Sequence, residues 1–103
     1  MEKYNVLITD EALMDMEEIY NYIAFNLLAP DNASAQYDRI ADAIMTLEEL
    51  PDRIRVMDSE PEHSRGIRQL LVGNYSVFYV IKGSDVVVTD VLYSASDIQS
   101  RLR

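Results

Sequence analysis

The chain reads as an α+β fold: an opening strand, an antiparallel pair of helices, a three-strand antiparallel meander completing a small twisted sheet, and a short closing helix. Three observations predict it. Apolar residues recur at intervals of three and four through the first half. β-Branched and aromatic runs joined by short glycine-containing turns fill the last third. A length of 103 residues with 49 % apolar content supplies one compact core, so residues 1–103 are expected to form a single domain.

Each element has its own signal. Tyr4–Thr9 is apolar and β-branched enough for the first strand. Thr9-Asp10 offers an N-cap, and Asp10 and Glu11 put negative charge where a helix dipole favours it. Leu13, Met16, Ile19 or Tyr20, Ile23 and Leu27 then trace one helical face, with Asp15, Glu17 and Glu18 largely off it. Ala29-Pro30-Asp31-Asn32 interrupts the pattern and opens a second helix, since proline is tolerated in a first turn. Its stripe is Ala33, Tyr37, Ile40, Ile44 and Leu47, and Leu50-Pro51 stops it. So short a connection makes the two helices an antiparallel hairpin.

Asp52–Arg65 is charged, contains Pro61 and has no period; it reads as a long loop with a little local structure, a kind of segment that is often functional. Strand patterns resume at Ile67–Val72, at Asn74–Ile81 after the Gly73-Asn74 turn, and at Val86–Tyr93 after Lys82-Gly-Ser-Asp85. Short turns make the three antiparallel. Ser96-Asp97 caps a short terminal helix through Ile98 and Leu102. In the middle strand Tyr75, Val77, Tyr79 and Ile81 face one way and Ser76, Phe78 and Val80 the other. Both faces are apolar. One packs on the helix hairpin, and the other needs the terminal helix, the long loop or a partner to cover it.

Composition narrows the chemistry. No cysteine is present, which excludes disulfides and thiolate metal sites and makes a reducing, cytoplasmic location the simplest reading. Met1-Glu-Lys-Tyr leads straight into a strand pattern without a signal-peptide core, and no stretch is long enough for a membrane span. A net charge of −9 repels nucleic acid at long range. Contact with RNA or DNA therefore needs a local cluster. Arg53, Arg55, Arg65 and Arg68 supply one, interleaved with Asp52, Asp58, Glu60 and Glu62, so a solvated loop is the alternative reading. His63 is the single histidine and its acidic neighbours lack ligand spacing, so no metal or other cofactor is expected. No phosphate-binding glycine loop or nucleophile elbow exists.

The succession Ser64-Arg-Gly-Ile-Arg68, Asn74-Tyr-Ser-Val-Phe-Tyr79 and Val91-Leu-Tyr-Ser-Ala-Ser-Asp97, behind a strand and a helix hairpin, resembles the toxins of the RelE/ParE superfamily over nearly the whole chain. The resemblance implies the toxin of a type II toxin–antitoxin module. Its partners would be a cognate antitoxin and either the ribosome with its mRNA or DNA gyrase, with homodimer and toxin–antitoxin hetero-oligomer both open. In the ribonuclease members a ribose 2′-hydroxyl attacks the neighbouring phosphate. Fixed cations must then face the developing phosphoryl charge, flanked by a general acid and base. Carried onto this chain, Arg68 and Arg65 are the expected cations and His63 the acid or base. Tyr93 stands where the family often has an active-site group, and Tyr75, Tyr79 and Arg55 would hold RNA. Two expected cations are replaced, by Ser76 and by the corner Ser94-Ala95-Ser96. A metal-independent mRNA endonuclease is the first expectation, just ahead of a gyrase inhibitor; a module that only binds its antitoxin is the third.

Overall fold

β4 (Asp85–Tyr93) is the strand on which the others are hung. It pairs antiparallel with β3 (Tyr75–Lys82) on one side and parallel with β1 (Asn5–Ile8) on the other, and β2 (Arg68–Val72) closes the order β1-β4-β3-β2. The structure is a computed structural model describing residues 3–103. Met1 and Glu2, at the head of the expected lead-in, lie outside the described residues. The two meander turns are two-residue loops, each begun by a glycine at positive φ (59° at Gly73, 60° at Gly83), the conformation such hairpins require.

The helices lie where the periodicity expected them. α1 (Asp10–Asn21) is capped by Thr9, whose hydroxyl accepts the Ala12 N–H at 3.1 Å. α1 runs into a π-helical turn over Tyr22–Asn26 before α2 (Pro30–Met45), which begins on its proline. A 3-10 turn at Thr46–Glu48 extends α2 and keeps Leu47 fully buried beside Ile40 and Ile44. Burying each of these side chains contributes about 1.5–3 kcal/mol. α3 (Ile98–Arg101) is a single turn whose Asp97 makes no side-chain cap bond. Among the described residues no helix is long and apolar enough to cross a membrane.

Both sheet faces are covered from within the chain. Tyr75, Val77, Tyr79 and Ile81 pack with the helix hairpin. Phe78 and Val80 pack with Ile67, Leu92, Met57 of the long loop, and Ile98 and Leu102 of the terminal segment. The long loop is less irregular than its sequence suggests: it holds a 3-10 turn at Pro51–Arg53 and a bridge from Val56 to Arg68.

Two details differ from the sequence reading. The buried face of α1 carries Ala12, Met16 and Ile19, continuing to Ile23, while Leu13 and Leu27 are largely exposed. Asp15, expected at the surface, is buried. The cause is a mismatch of strand lengths. β1 covers β4 only from Asp85 to Val88, and Thr89 forms a bulge, so the rest of β4 would present unpaired backbone. Asp15 Oδ2 accepts the Val91 N–H at 3.0 Å, and Arg103 Nη1 donates to the Thr89 carbonyl at 3.1 Å. Arg103 also bridges Asp15 and Asp90, each at 2.7 Å, and Asp90 is only 1 % exposed. The bulge reverses side-chain parity, so Val86, Val88 and Val91 all reach the helix side while Leu92 reaches the other.

Replacing Arg103 with alanine should leave two buried carboxylates facing each other. Because the guanidinium itself is partly exposed, the expected loss is about 2–3 kcal/mol by urea denaturation. Adding Asp15→Asn and Asp90→Asn to that variant should recover part of it.

Candidate functional site

The cations expected to form a clamp are each engaged by the protein. Arg53 folds back on the end of the helix hairpin, donating to the carbonyls of Glu49 (2.9 Å) and Leu50 (3.2 Å) and to the Thr46 hydroxyl (3.0 Å). There it satisfies groups that a helix terminus leaves open. Arg55 pairs with Asp58. Arg68, at the start of β2, donates to the Ile54 carbonyl and more distantly to that of Asp52 (3.5 Å), tying the long loop to the sheet. Arg65 donates to the Arg103 carbonyl, beside the Asp15–Asp90 cluster. Arg68 thus faces the loop at Asp52–Ile54 and Arg65 the terminal segment, and neither lines the grooves described below.

His63 is itself exposed in the turn at Ser59–Gly66, with Nδ1 donating to the Met57 carbonyl at 2.9 Å. A carbonyl oxygen can only accept, so that bond places a hydrogen on Nδ1. The neighbouring Glu60 carboxyl is held below its usual range, chiefly by hydrogen bonds from Ser64. Ser76 is fully buried and bonds Gln69 Nε2 (2.9 Å) and Ser94 Oγ (2.7 Å). Where the ribonuclease pattern asks for an arginine, this chain has a neutral, closed hydrogen-bond chain.

The tyrosines divide into two kinds. Tyr79 is fully buried and donates its hydroxyl to the Pro51 carbonyl at 2.7 Å, fastening the sheet to the turn that ends the hairpin. Its ring is unavailable for stacking on a base. Burial raises its phenol above the usual value, with Arg68 and Arg53 pulling the other way. Tyr75 and Tyr93 meet edge-on, ring centroids 5.8 Å apart, and are the two sequence candidates that the structure joins. Burial, then Tyr93 and Tyr22, push the Tyr75 phenol up, so at neutral pH it is a hydrogen-bonding group and not a base.

Tyr75 and Tyr93 form one wall of a groove of 720 Å³ between α1 and the far ends of β3 and β4, whose lining includes Glu18, Tyr22, Leu27 and Arg101. It is apolar and aromatic, with charge at its margins. A smaller cleft of 320 Å³ lies between α1 and α2, where Tyr20 and Tyr37 meet edge-on. Among the described residues no group of His, Asp or Glu is placed to hold a metal ion. Sequence reasoning gave Tyr22 no role and placed Leu27 on the buried face of the first helix, whereas both line the groove. The available signal was the placement of large apolar residues just where the helical stripe gives way to the turn.

An opening strand, a helix pair, a three-strand meander and a short closing helix make the fold shared with the solved structures of RelE/ParE toxins. The chain matches over residues 6–98 the family described as ParE toxin of type II toxin-antitoxin system, parDE, and it belongs to that family. Among solved structures it is similar to one from the chromosomal ParDE toxin–antitoxin system of P. aeruginosa (TM-score 0.74, 20 % identity, 88 % of this chain and 96 % of that one). It is also similar to one in the RelBE2 toxin–antitoxin complex of Mycobacterium tuberculosis (0.62, 20 %, 88 % and 98 %). A mutant of E. coli toxin RelE in the free state matches as well (0.64, 15 %, 97 % and 94 %). No curated protein matches the chain significantly.

Tyr79→Phe should cost about 1 kcal/mol, the worth of a buried hydrogen bond. A phenol whose pKa is raised by folding contributes stability below its unfolded value near 10.0 and loses it as pH rises through the folded value. Wild type should therefore weaken steeply above that pH in urea melts, and Tyr79→Phe should weaken less.

Proposed function

We propose that this toxin arrests growth by binding DNA gyrase, and that it does not cut message. The observation that carries the reading is the engagement of Arg53, Arg55, Arg65 and Arg68 by acceptors of the protein itself. Cleavage through a 2′-hydroxyl puts extra negative charge on phosphoryl oxygens, and cations must converge on one point to stabilise it, whereas these four are tied to separate acceptors. The neutral Gln69–Ser76–Ser94 chain and the uncharged corner after β4 supply none. A net charge of −9 works against a long strand of RNA, whereas it is compatible with docking on a protein. Membership of the family described for parDE points the same way. An inhibitor of this kind needs shape and apolar contact, which the aromatic groove provides.

Purified chain is expected to inhibit gyrase-catalysed supercoiling in a concentration-dependent manner and to leave message intact on programmed ribosomes. Message cut in the ribosomal A site would overturn the proposal. Arg68→Ala should lower stability by about 1–2 kcal/mol through the lost loop contact. Below its melting temperature it should still arrest growth and inhibit gyrase, whereas loss of a nuclease clamp residue would abolish the arrest.

A further inference from the structure

Two matching triads build the smaller cleft, between α1 and α2. Glu17, Tyr20 and Asn21 stand on α1 at positions i, i+3 and i+4, and Ser34, Tyr37 and Asp38 stand on α2 at the same spacing. Each triad therefore shares one helical face. The two tyrosines meet at the centre, ring centroids 6.3 Å apart and planes at 87°. Packing fixes both rings: Tyr37 lies against the main core, and Tyr20 against the smaller cluster of Ile23, Ala24 and Ala33. Because the helices are antiparallel, residues before Tyr20 run alongside residues after Tyr37. Glu17 and Asp38 thus share one end of the cleft, and Asn21 and Ser34 the other. Among the described residues neither Glu17 nor Asp38 belongs to an ion pair. Residues 10–45 carry eight acids and one base, Arg39, and that base donates to Gln36.

We infer that this cleft binds an aliphatic diamine or polyamine, with its ammonium groups at Glu17 and Asp38 and its methylene chain along Tyr20 and Tyr37. The inference is independent of the gyrase reading. The lining selects the guest. Tyrosine rings attract an ammonium through their faces and cover a hydrocarbon chain with their apolar surface. Two uncompensated carboxylates call for two positive charges. Phosphates and nucleotides would be repelled by the same acids. A divalent metal ion would find, among the described residues, no third acid or histidine placed to join the two. A protein partner binds through an apolar centre inside a polar rim, whereas here Glu17, Asn21, Ser34 and Asp38 are most of the lining. A volume of 320 Å³ also suits a small molecule. The aromatic groove draws on a different side of α1, through Asp15, Glu18, Ile19 and Tyr22, so a guest in the cleft leaves that groove open.

The test titrates the full chain with butane-1,4-diamine at constant ionic strength, read by amide NMR shifts and by calorimetry. Saturable one-to-one binding is expected, with the shifts concentrated on residues 17–21 and 34–38 and a higher melting temperature. Butylamine, with one charge, should bind at least about fivefold more weakly. Mg²⁺, with two charges and no chain, should give no saturable shift in the cleft. Glu17→Gln combined with Asp38→Asn changes two exposed side chains, so it should melt like wild type and lose at least about fivefold in affinity for the diamine. Tyr37→Leu keeps apolar packing and should lose about threefold. Shifts that Mg²⁺ reproduces, or that scatter over all the surface acids, would overturn the inference by reducing it to ionic screening. Unchanged diamine affinity in the folded double variant would overturn it as well.

Discussion

The guanidinium of Arg103, held between Asp15 and Asp90, is the contact on which the sheet depends. β4 is more than twice as long as β1, so half of its edge would lie open to whatever strand came near. Asp15 and Arg103 occupy that edge with side-chain hydrogen bonds to backbone groups. In doing so they join the first helix, the central strand and the terminal segment. The hydrogen bond and charge of Asp15, with those of Asp90, push the guanidinium's pKa above its already high ordinary value, so Arg103 stays charged as pH rises. The bulge it secures also sends Val91 to the helix side and Leu92 to the other, which lets one strand serve two cores.

Much of the architecture was legible from periodicity alone. The stripe Ala33, Tyr37, Ile40, Ile44, Leu47 placed α2, because every member but Tyr37 is fully or almost fully buried. The glycine turns placed the meander, because two-residue hairpins constrain φ so strongly. What escaped was whatever depends on distant partners. Asp15 reads as a surface acid until Arg103 and the Val91 amide stand beside it. The shifted stripe of α1 has the same origin, since an acid at Asp15 is apolar-facing only when neutralised. The π-helical turn leaves no periodic trace.

The candidate site shows the same division. Sequence can count arginines between Arg53 and Arg68 but not see what they hold. Arg53, Arg65 and Arg68 brace a helix end, the terminal segment and the loop, while Arg55 makes only an exposed pair with Asp58. Tyr75 and Tyr93, singled out by the family resemblance, do meet; Tyr79, singled out in the same way, is absorbed into the core by its bond to Pro51. Loss of positive charge at Ser76 and at the corner after β4 was visible as residue identity. Only the hydrogen bonds from Gln69 and Ser94 reveal that serine is accommodated there as a complete, neutral arrangement.

Asp15 and the arginine that neutralises it are separated by 88 positions along the chain. During synthesis the first helix therefore emerges with a carboxylate that cannot yet be buried, and the edge of the central strand stays unprotected until Arg103 has been added. A product truncated before that arginine would lack this closure. The finished sheet thus belongs only to chains read through to that point.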